Sequence, residues 1–558
     1  FTLTAVLTLA VGLGFNAAIF TTIYALTFRR LPVANAGALA NVYQTHHGTY
    51  RRLVNGMPSM VSYREYLEYR SLIDSSRGRA AAVVSAAVYR ESEFSVTWAH
   101  SLTAHGQYVS CNYFRVLDAR MAEGRPFVDA DCAHAGSAPI AILSHAFWSR
   151  ELASDSSVLG ATIRVGNALV TVVGVAAAGF AGPALQPSDL WLPVTMEPVL
   201  DAKGSLLPED GSWLSMIVRL APGATRAAAR AELTVAAARR DRAYPGRSTT
   251  VIVRPAAFFN APEEVAATGL FSILTGLLGL LVVGMVCANI MNLLLAHGFA
   301  RRREIGTRIA IGASRGRIIE QLVIENVVLA LAGGGVGLAS AYALPALAAR
   351  LPAVSTLQFN LSPDLRVAAF TFALSIAAAL TFGLVPALQT TNVDIASQAR
   401  DGGVRGRRAS PARWRSAVIQ VQLAGSALML SVAAILSTAV RHGTEVDPGY
   451  ITRDVVAFDL NLAMLGYNEA RTADVYGRVI RRLGATPGVA GVALASPLPL
   501  LARSTERVTT FDSSGQARTL DGVGQVAASG SYLATMQIRL IAGRSYRDGD
   551  TPSGSASG

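Results

Sequence analysis

Five stretches without a charged side chain interrupt this sequence, at 2–28, 265–300, 326–349, 367–393 and 416–440. Each exceeds the roughly 20 apolar residues that a helix needs to cross a bilayer, so each predicts a membrane span. The segment between the first two has shorter rhythms. TIRVGNALVTVVGV, at 162–175, sets β-branched residues on both sides of Gly166-Asn167 and predicts a hairpin. SYREYLEYR, at 62–70, spaces its tyrosines as a helix does, and the alanine- and arginine-rich stretch 221–240 is helical in character. Elements of these lengths predict an α+β domain with room for two lobes.

Composition sharpens this picture. The chain has 558 residues, 51% hydrophobic and 15% charged, where a soluble domain would carry about 25% charged. Its mean hydropathy is +0.37. The net charge of +12 comes from arginine, because Lys203 is the single lysine. Those arginines flank the apolar runs, which points to membrane flanks and away from nucleic acid. The first run is too long for a signal-peptide core of about 7–15 residues, and its Ala-Asn-Ala-Gly-Ala tail is a weak cleavage motif, so it reads as a retained span.

Arginine also sets the orientation. The link 301–317 carries six arginines against Glu304, and 394–415 carries six against Asp394 and Asp401. The positive-inside rule puts both in the cytoplasm, although Arg29 and Arg30 argue mildly the other way. The expected organisation is a span at 1–30, an extracytoplasmic α+β domain at 31–264, a span at 265–300 and a cytoplasmic segment at 301–317. Then come a span at 318–349, an outer loop at 350–366, a span at 367–393, a cytoplasmic linker at 394–415, a span at 416–440 and a second extracytoplasmic domain at 441–558. The fold class is thus an α-helical integral membrane protein with large α+β extracytoplasmic domains.

The chain also repeats itself. SCNYFRVLDARMAEGRPFVDAD at 110–131 aligns without gaps to SGSYLATMQIRLIAGRSYRDGD at 529–550, an offset of 419. Ser110, Tyr113, Arg120, Gly124, Arg125, Asp129 and Asp131 match Ser529, Tyr532, Arg539, Gly543, Arg544, Asp548 and Asp550. A span precedes each copy, so an internal duplication is expected, its second half truncated before its later spans.

Candidate chemistry is sparse. A P-loop requires a lysine after a glycine-rich turn, and Lys203 in DAKGS has no such turn before it. Gly12-Leu13-Gly14 and the cluster Gly333–Gly337 lie inside spans, where small residues serve close helix packing. Asn16, Asn289 and Asn292 are expected to act as interhelical hydrogen-bonding glue rather than as a transport path. Asp129-x-Asp131 falls short of the 6–8 oxygens that calcium takes and reads as a solvated turn. Ser144-His145 lacks a nucleophile elbow and a third partner, so Ser144 reads as a helix cap. No metal-binding motif is recognised. Cys111 and Cys132 could pair outside the cell, but three cysteines make no disulfide framework, and the reading leaves them unpaired.

The basic link has helical order of its own. In RRREIGTRIAIGASRGR, Ile305 and Ile309 fall four apart on one face, with Arg303, Glu304 and Arg308 around them. Gly312 ends the pattern, and Ser314 is placed to cap the next helix. A helix of about ten residues is marginal alone in water, so this one is expected to dock its Ile305–Ile309 face on a protein socket.

Long motifs now join a known family. NYFRVLDARMAEGRPF, PIAILSHAFWSREL, VLGATIRVGNALVTVVGVAAAGFAGP and DLWLPV resemble the MacB-type periplasmic domain of ABC transporter permeases. CANIMNLLLAHGFARRREIGTRIAIGASRGRIIEQLVIENVVLALAGGGVGL resembles the FtsX-like permease domain, and the duplication is similar to that of acidobacterial-type duplicated permeases. The resemblance implies a permease subunit of the bacterial inner membrane that is not itself an enzyme and binds no cofactor directly. ATP would sit on a partner ABC ATPase, docked on the coupling helix of the segment 301–317. The motion would be passed to the outer domains for export or efflux, with a periplasmic or outer-envelope protein as a further partner. The alternatives are extraction of lipoproteins, control of a cell-wall hydrolase, and a sensory membrane protein without an ATPase. The cargo is not legible.

Overall fold

The computed structural model describes residues 2–27, 33, 35–48, 57–76, 81–98, 100–184, 186–200, 205–208, 210–348, 364–391, 411–445, 449–451, 453–460, 462–465, 467, 469–496, 505–511, 517–524 and 526–545. Most of the predicted outer loop, the linker 392–410, Lys203, Asp548 and Asp550 therefore lie outside the described residues. Two compact units divide the chain, Phe1–Ala434 and Ile435–Gly558.

In the first unit, β1 (Leu39–Gly48) and β10 (Arg247–Pro255) begin and end the outer domain and pair antiparallel, from Ala40 opposite Pro255 to Gly48 opposite Arg247. Between them come β2 (Val83–Thr97), β3 (Ser101–Val109), β4 (Met121–Gly124), β5 (Ile140–Leu143), β6 (Thr162–Val165), β7 (Ala168–Ala176), β8 (Leu190–Pro193) and β9 (Ser215–Leu220). All ten form one sheet in the order β10-β1-β9-β2-β3-β8-β5-β7-β4, with β6 joining β2 and β7. It is a mixed sheet, because β3–β8 and β5–β7 run parallel. All ten strands of the outer domain thus belong to this one sheet.

Alternation along the strands builds two cores. Ala86, Val88, Met216 and Val218 belong to one buried cluster, and their neighbours Ala87 and Ile217 to another. Successive side chains of a strand point to opposite faces, so each face of the sheet is buried. The first face is covered by α2 (Tyr63–Ser75), α4 (His145–Glu151) and α6 (Arg226–Ala243), through Tyr66, Phe147 and Leu233 among others. The second meets α3 (Tyr113–Val116). A four-residue helix, α5 (Glu197–Leu200), follows β8. The N-terminus of α2 is a full capping box, with Ser62 and Glu65 each accepting the other's backbone N–H. The predicted hairpin is β6–β7, with Gly166 at φ +57°, which favours glycine at its turn.

The apolar runs form α1 (Thr2–Thr27), α7 (Pro262–Ala300), α9 (Arg315–Ala348), α10 (Leu365–Thr391) and α11 (Pro411–Glu445). Between α7 and α9 lies the short α8 (Arg302–Ala310). Among the described residues four helices are long and apolar enough to cross a membrane: Thr2–Tyr24, Pro262–Leu294, Arg315–Ala343 and Ile419–His442. The run at 367–393 falls in α10, where the described apolar stretch is the shorter Leu365–Thr381. Leu9, Leu13, Ile290, Ala330 and Ala379 form one buried cluster, so α1, α7, α9 and α10 pack as a bundle.

The second unit holds α12 (Glu469–Gly484), α13 (Tyr532–Thr535), the strand pair β11 (Ala495–Ser496) with β14 (Ala527–Ala528), and the hairpin of β12 (Thr505–Phe511) and β13 (Ala517–Gly524).

Candidate functional site

The turn α7–α8–α9 is a defined structure. Gly312 N–H donates to the Ile309 carbonyl at 3.0 Å, and Ala313 N–H donates to that of Arg308, also at 3.0 Å. This pair of bonds is a Schellman motif, and it sets Gly312 at φ +103°. The Arg317 N–H reaches Ser314 Oγ at 3.4 Å, a long cap for α9. Ionic contacts hold α8 in place: Arg308 with Glu304 at 2.6 Å, and Arg301 with Glu304 at 3.3 Å and with Glu325 of α9 at 3.6 Å. Arg303 lies in the first turn of α8.

One expectation about this turn is corrected. Ile305, assigned to the outward docking face, is 6% exposed, and Ile309 is half-buried. Helix α8 lies against α7 and α10, so its apolar stripe is spent on the chain's own bundle. The outward apolar residue is Ile311, the C-cap of α8, at 82% exposure. Thr307, Arg308, Ala310, Gly312 and Ser314 share its exposure.

Higher in the bundle, small residues let helices touch. A Cβ added to Gly337 would lie 2.7 Å from the Gly14 nitrogen, and one on Gly333 would lie 2.5 Å from the Leu9 Cβ, so α1 and α9 approach to backbone contact. The buried Asn16 donates to the Gly279 carbonyl of α7 at 2.9 Å. Asn292 donates to Gln422 Oε1 of α11 at 3.1 Å. Asn289 is exposed and stands apart from these contacts, because three residues along a helix are 60° short of a full turn.

Sequence reasoning missed the junction between the sheet and α7. The segment 256–261 leads from β10 into that helix and is clamped by β1. Asn41 Nδ2 donates to the Ala257 carbonyl at 3.0 Å and to Asn260 Oδ1 at 3.1 Å, and the Tyr43 hydroxyl also donates to Asn260 Oδ1. Arg254 donates to the Asn260 carbonyl at 2.7 Å. Burial pushes the Tyr43 hydroxyl up to about 12. Glu263, in the first turn of α7, accepts from both the N–H and the hydroxyl of Ser59, at 2.8 Å each. No local pattern could have shown this, since 204 residues separate the partners.

A buried ionic network was equally illegible. Arg247, 1% exposed at its side chain, pairs with Glu65, with Asp241 at 3.0 Å and with Asp210 at 3.3 Å. Asp210 also meets Arg240 at 2.7 Å. The network ties α2, α6 and β10 together and has the character of scaffolding.

The remaining candidates resolve into structure. Asp129 pairs with Arg70 at 2.9 Å and Arg115 at 3.1 Å, while Asp131 pairs with Arg125 at 2.8 Å. Burial pushes the Asp131 carboxyl up, but the hydrogen bonds from Arg125 and the Val128 N–H outweigh it, so the group sits below the ordinary aspartate value. Ser144 caps α4 by accepting from the Phe147 N–H at 3.1 Å. Cys111 and Cys132 are joined in a disulfide, against the expectation of free thiols. The motif surrounding this loop brings their Cα atoms within 6.0 Å, which a count of cysteines could not reveal.

The two motif copies have the same local geometry. Ser110 exchanges two hydrogen bonds with the Val88 backbone, at 3.0 and 3.1 Å, and Ser529 exchanges two with Leu494, both at 3.0 Å. A four-residue helix follows each serine, at Tyr113–Val116 and Tyr532–Thr535. Each then turns through a left-handed residue, Asp118 at φ 54° and Gln537 at φ 52°.

Comparison with known proteins agrees with this architecture. The family model for the MacB-like periplasmic core domain matches residues 2–236, and that for the FtsX-like permease C-terminal matches 276–395. The macrolide export ATP-binding/permease protein MacB of Chromobacterium violaceum is 28% identical over 282 residues, covering 50% of this chain and 40% of its own length. The probable syringafactin export ATP-binding/permease protein SyfD of Pseudomonas syringae pv. tomato is 27% identical, covering 52% of this chain and 42% of its own. The chain thus spans about two fifths of the length of these relatives. The crystal structure of the periplasmic region of MacB from Actinobacillus actinomycetemcomitans overlaps 40% of this chain and 90% of its own, at 13% identity and a TM-score of 0.28, too low to carry weight. A membrane protein with apolar helices and a large extracytoplasmic domain, this chain belongs to the MacB/FtsX-like permease family.

Proposed function

We propose that the chain is the transmembrane subunit of an ABC-type exporter in a bacterial inner membrane, and that it carries ATP-driven motion from a partner ATPase to its outer domains. The observation that carries this reading is the turn at 301–317. It is a short helix fixed to the bundle by Ile305, with an exposed apolar knob at Ile311, on a segment whose six arginines favour the cytoplasm. A partner ATPase is favoured by the relatives, whose names join ATP binding to the permease. Export is favoured by the relatives, whose names describe export permeases. The chain itself would bind no cofactor.

The reading also includes an internal duplication. The shared geometry around Ser110 and Ser529, at the same offset of 419 as the sequence match, supports it. Two such copies in one chain could supply both halves of a transporter.

The test is gentle purification of the full-length protein with identification of what accompanies it. An ABC ATPase in stoichiometric amount, with hydrolysis that depends on the permease, is the expected result. Recovery without any ATPase would refute the reading and favour a sensory role.

A further inference from the structure

A permease of this kind must move its outer domain, and motion reaches a domain only through the elements that join it to the bundle. Among the described residues the best-defined junction is the one from β10 into α7. Three features make it stiff. The segment 256–261 is held by Asn41, Tyr43 and Arg254 through Ala257 and Asn260. The helix start is fixed by Pro262, whose ring suits the first helical position, and by Glu264, which reaches back to the Ala261 N–H at 3.3 Å. Glu263 then leaves its own helix and grips Ser59 with both oxygens.

That last contact exceeds what the helix needs. A carboxylate in the first turn already stabilises the helix dipole wherever it points, and the near-terminal N–H is served by Glu264. Glu263 instead spends both acceptors on one residue of the loop between β1 and α2. Ser59 is 2% exposed, and its carbonyl accepts from the Gln44 N–H of β1 at 3.0 Å. The chain of bonds therefore runs from α7 through Glu263 and Ser59 into the middle of β1. Two charge-assisted bonds to one residue fix direction as well as distance, as a strut does.

We infer that Ser59 and Glu263 form a transmission strut, which makes α7 and the β1–β10 edge of the outer sheet move as one body. Ser59 and Glu263 are positioning residues in this scheme and contact no cargo. The inference rests on the proposed transport function for its purpose, but not for its local test.

That test uses the full-length protein in lipid nanodiscs, with its ATPase. Hydrogen exchange at the Ser59 amide reads the strut directly. Glu263→Ala should speed exchange there by about tenfold, with the amides of β1 and β10 still protected. Change below about twofold would overturn the inference. If Glu263→Ala fails to fold, Ser59→Ala and Glu263→Gln replace it, each removing part of the grip. In the functional arm, Glu263→Ala should leave ATPase binding and hydrolysis intact while the ATP-induced distance change of the outer domain shrinks. An undiminished change in the variant would overturn the strut. No ATP response in the unaltered protein would instead refute the transport reading, and the exchange result would still decide whether the strut exists.

Discussion

Ile305 and Ile311 stand six residues apart in the basic turn and differ in environment, the first buried in the bundle at 6% exposure and the second open at 82%. The two should therefore fail differently. Ile305→Asp places an unpaired charge in an apolar site and should cost about 3 kcal/mol or more of bundle stability. Ile311→Asp should leave the melting temperature unchanged and weaken ATPase binding about tenfold or more, the value of one lost apolar anchor. Melting in nanodiscs and titration with the ATPase check both outcomes.

The contact of α1 with α9 gives a second prediction. Gly337→Val brings side-chain atoms against the Gly14 backbone and should destabilise the bundle by about 1–3 kcal/mol through overpacking. Gly335→Val is the control, because a Cβ there meets nothing within 4 Å. Graded unfolding in detergent should separate the two variants.

These cases mark what the sequence could say. The long apolar helices were legible because runs of twenty apolar residues favour them, and among the described residues four are long and apolar enough to cross a membrane. The Ser110 motif was legible because its hydrogen bonds are local and recur in the same order at Ser529. The stripe of Ile305 and Ile309 was also visible, but not its direction: periodicity shows that a helix has an apolar face and leaves open which body covers it. Asn289 was grouped with Asn292 by spacing, although only Asn292 meets another helix, at Gln422. Ser59–Glu263 and the Arg247 network join residues far apart in the chain, and no window of sequence contains both partners.

Reduction should weaken the first outer domain. The disulfide closes a loop with a sequence separation of 21, and opening such a loop costs about 3 kcal/mol in the chain-entropy account. Differential scanning with and without reductant should show a lower transition for this domain. Gly530 and Thr551 occupy the corresponding positions of the second copy, so its transition should not move.

Acid should act on the same loop. Asp131 sits below its ordinary value in the folded domain, so its contribution is present above the unfolded value of about 4 and is lost as the pH falls through the lower folded one. Asp131→Asn should flatten the acid limb of the stability curve and lower stability at pH 7. Unfolding midpoints measured from pH 7 down to pH 2 check the sign.

Motion of the outer domain against the bundle is read most directly as a distance between the two. Spin labels are placed at Asn167, on the exposed hairpin tip, and at Val328, on the exposed side of α9, with Cys287 replaced. The distance distribution is recorded in nanodiscs with the ATPase, with and without trapped ATP. A shift that requires both ATP and the ATPase is expected if the chain carries ATP-driven motion to its outer domain. An unchanged distribution in the loaded complex, or a shift without the ATPase, would contradict it.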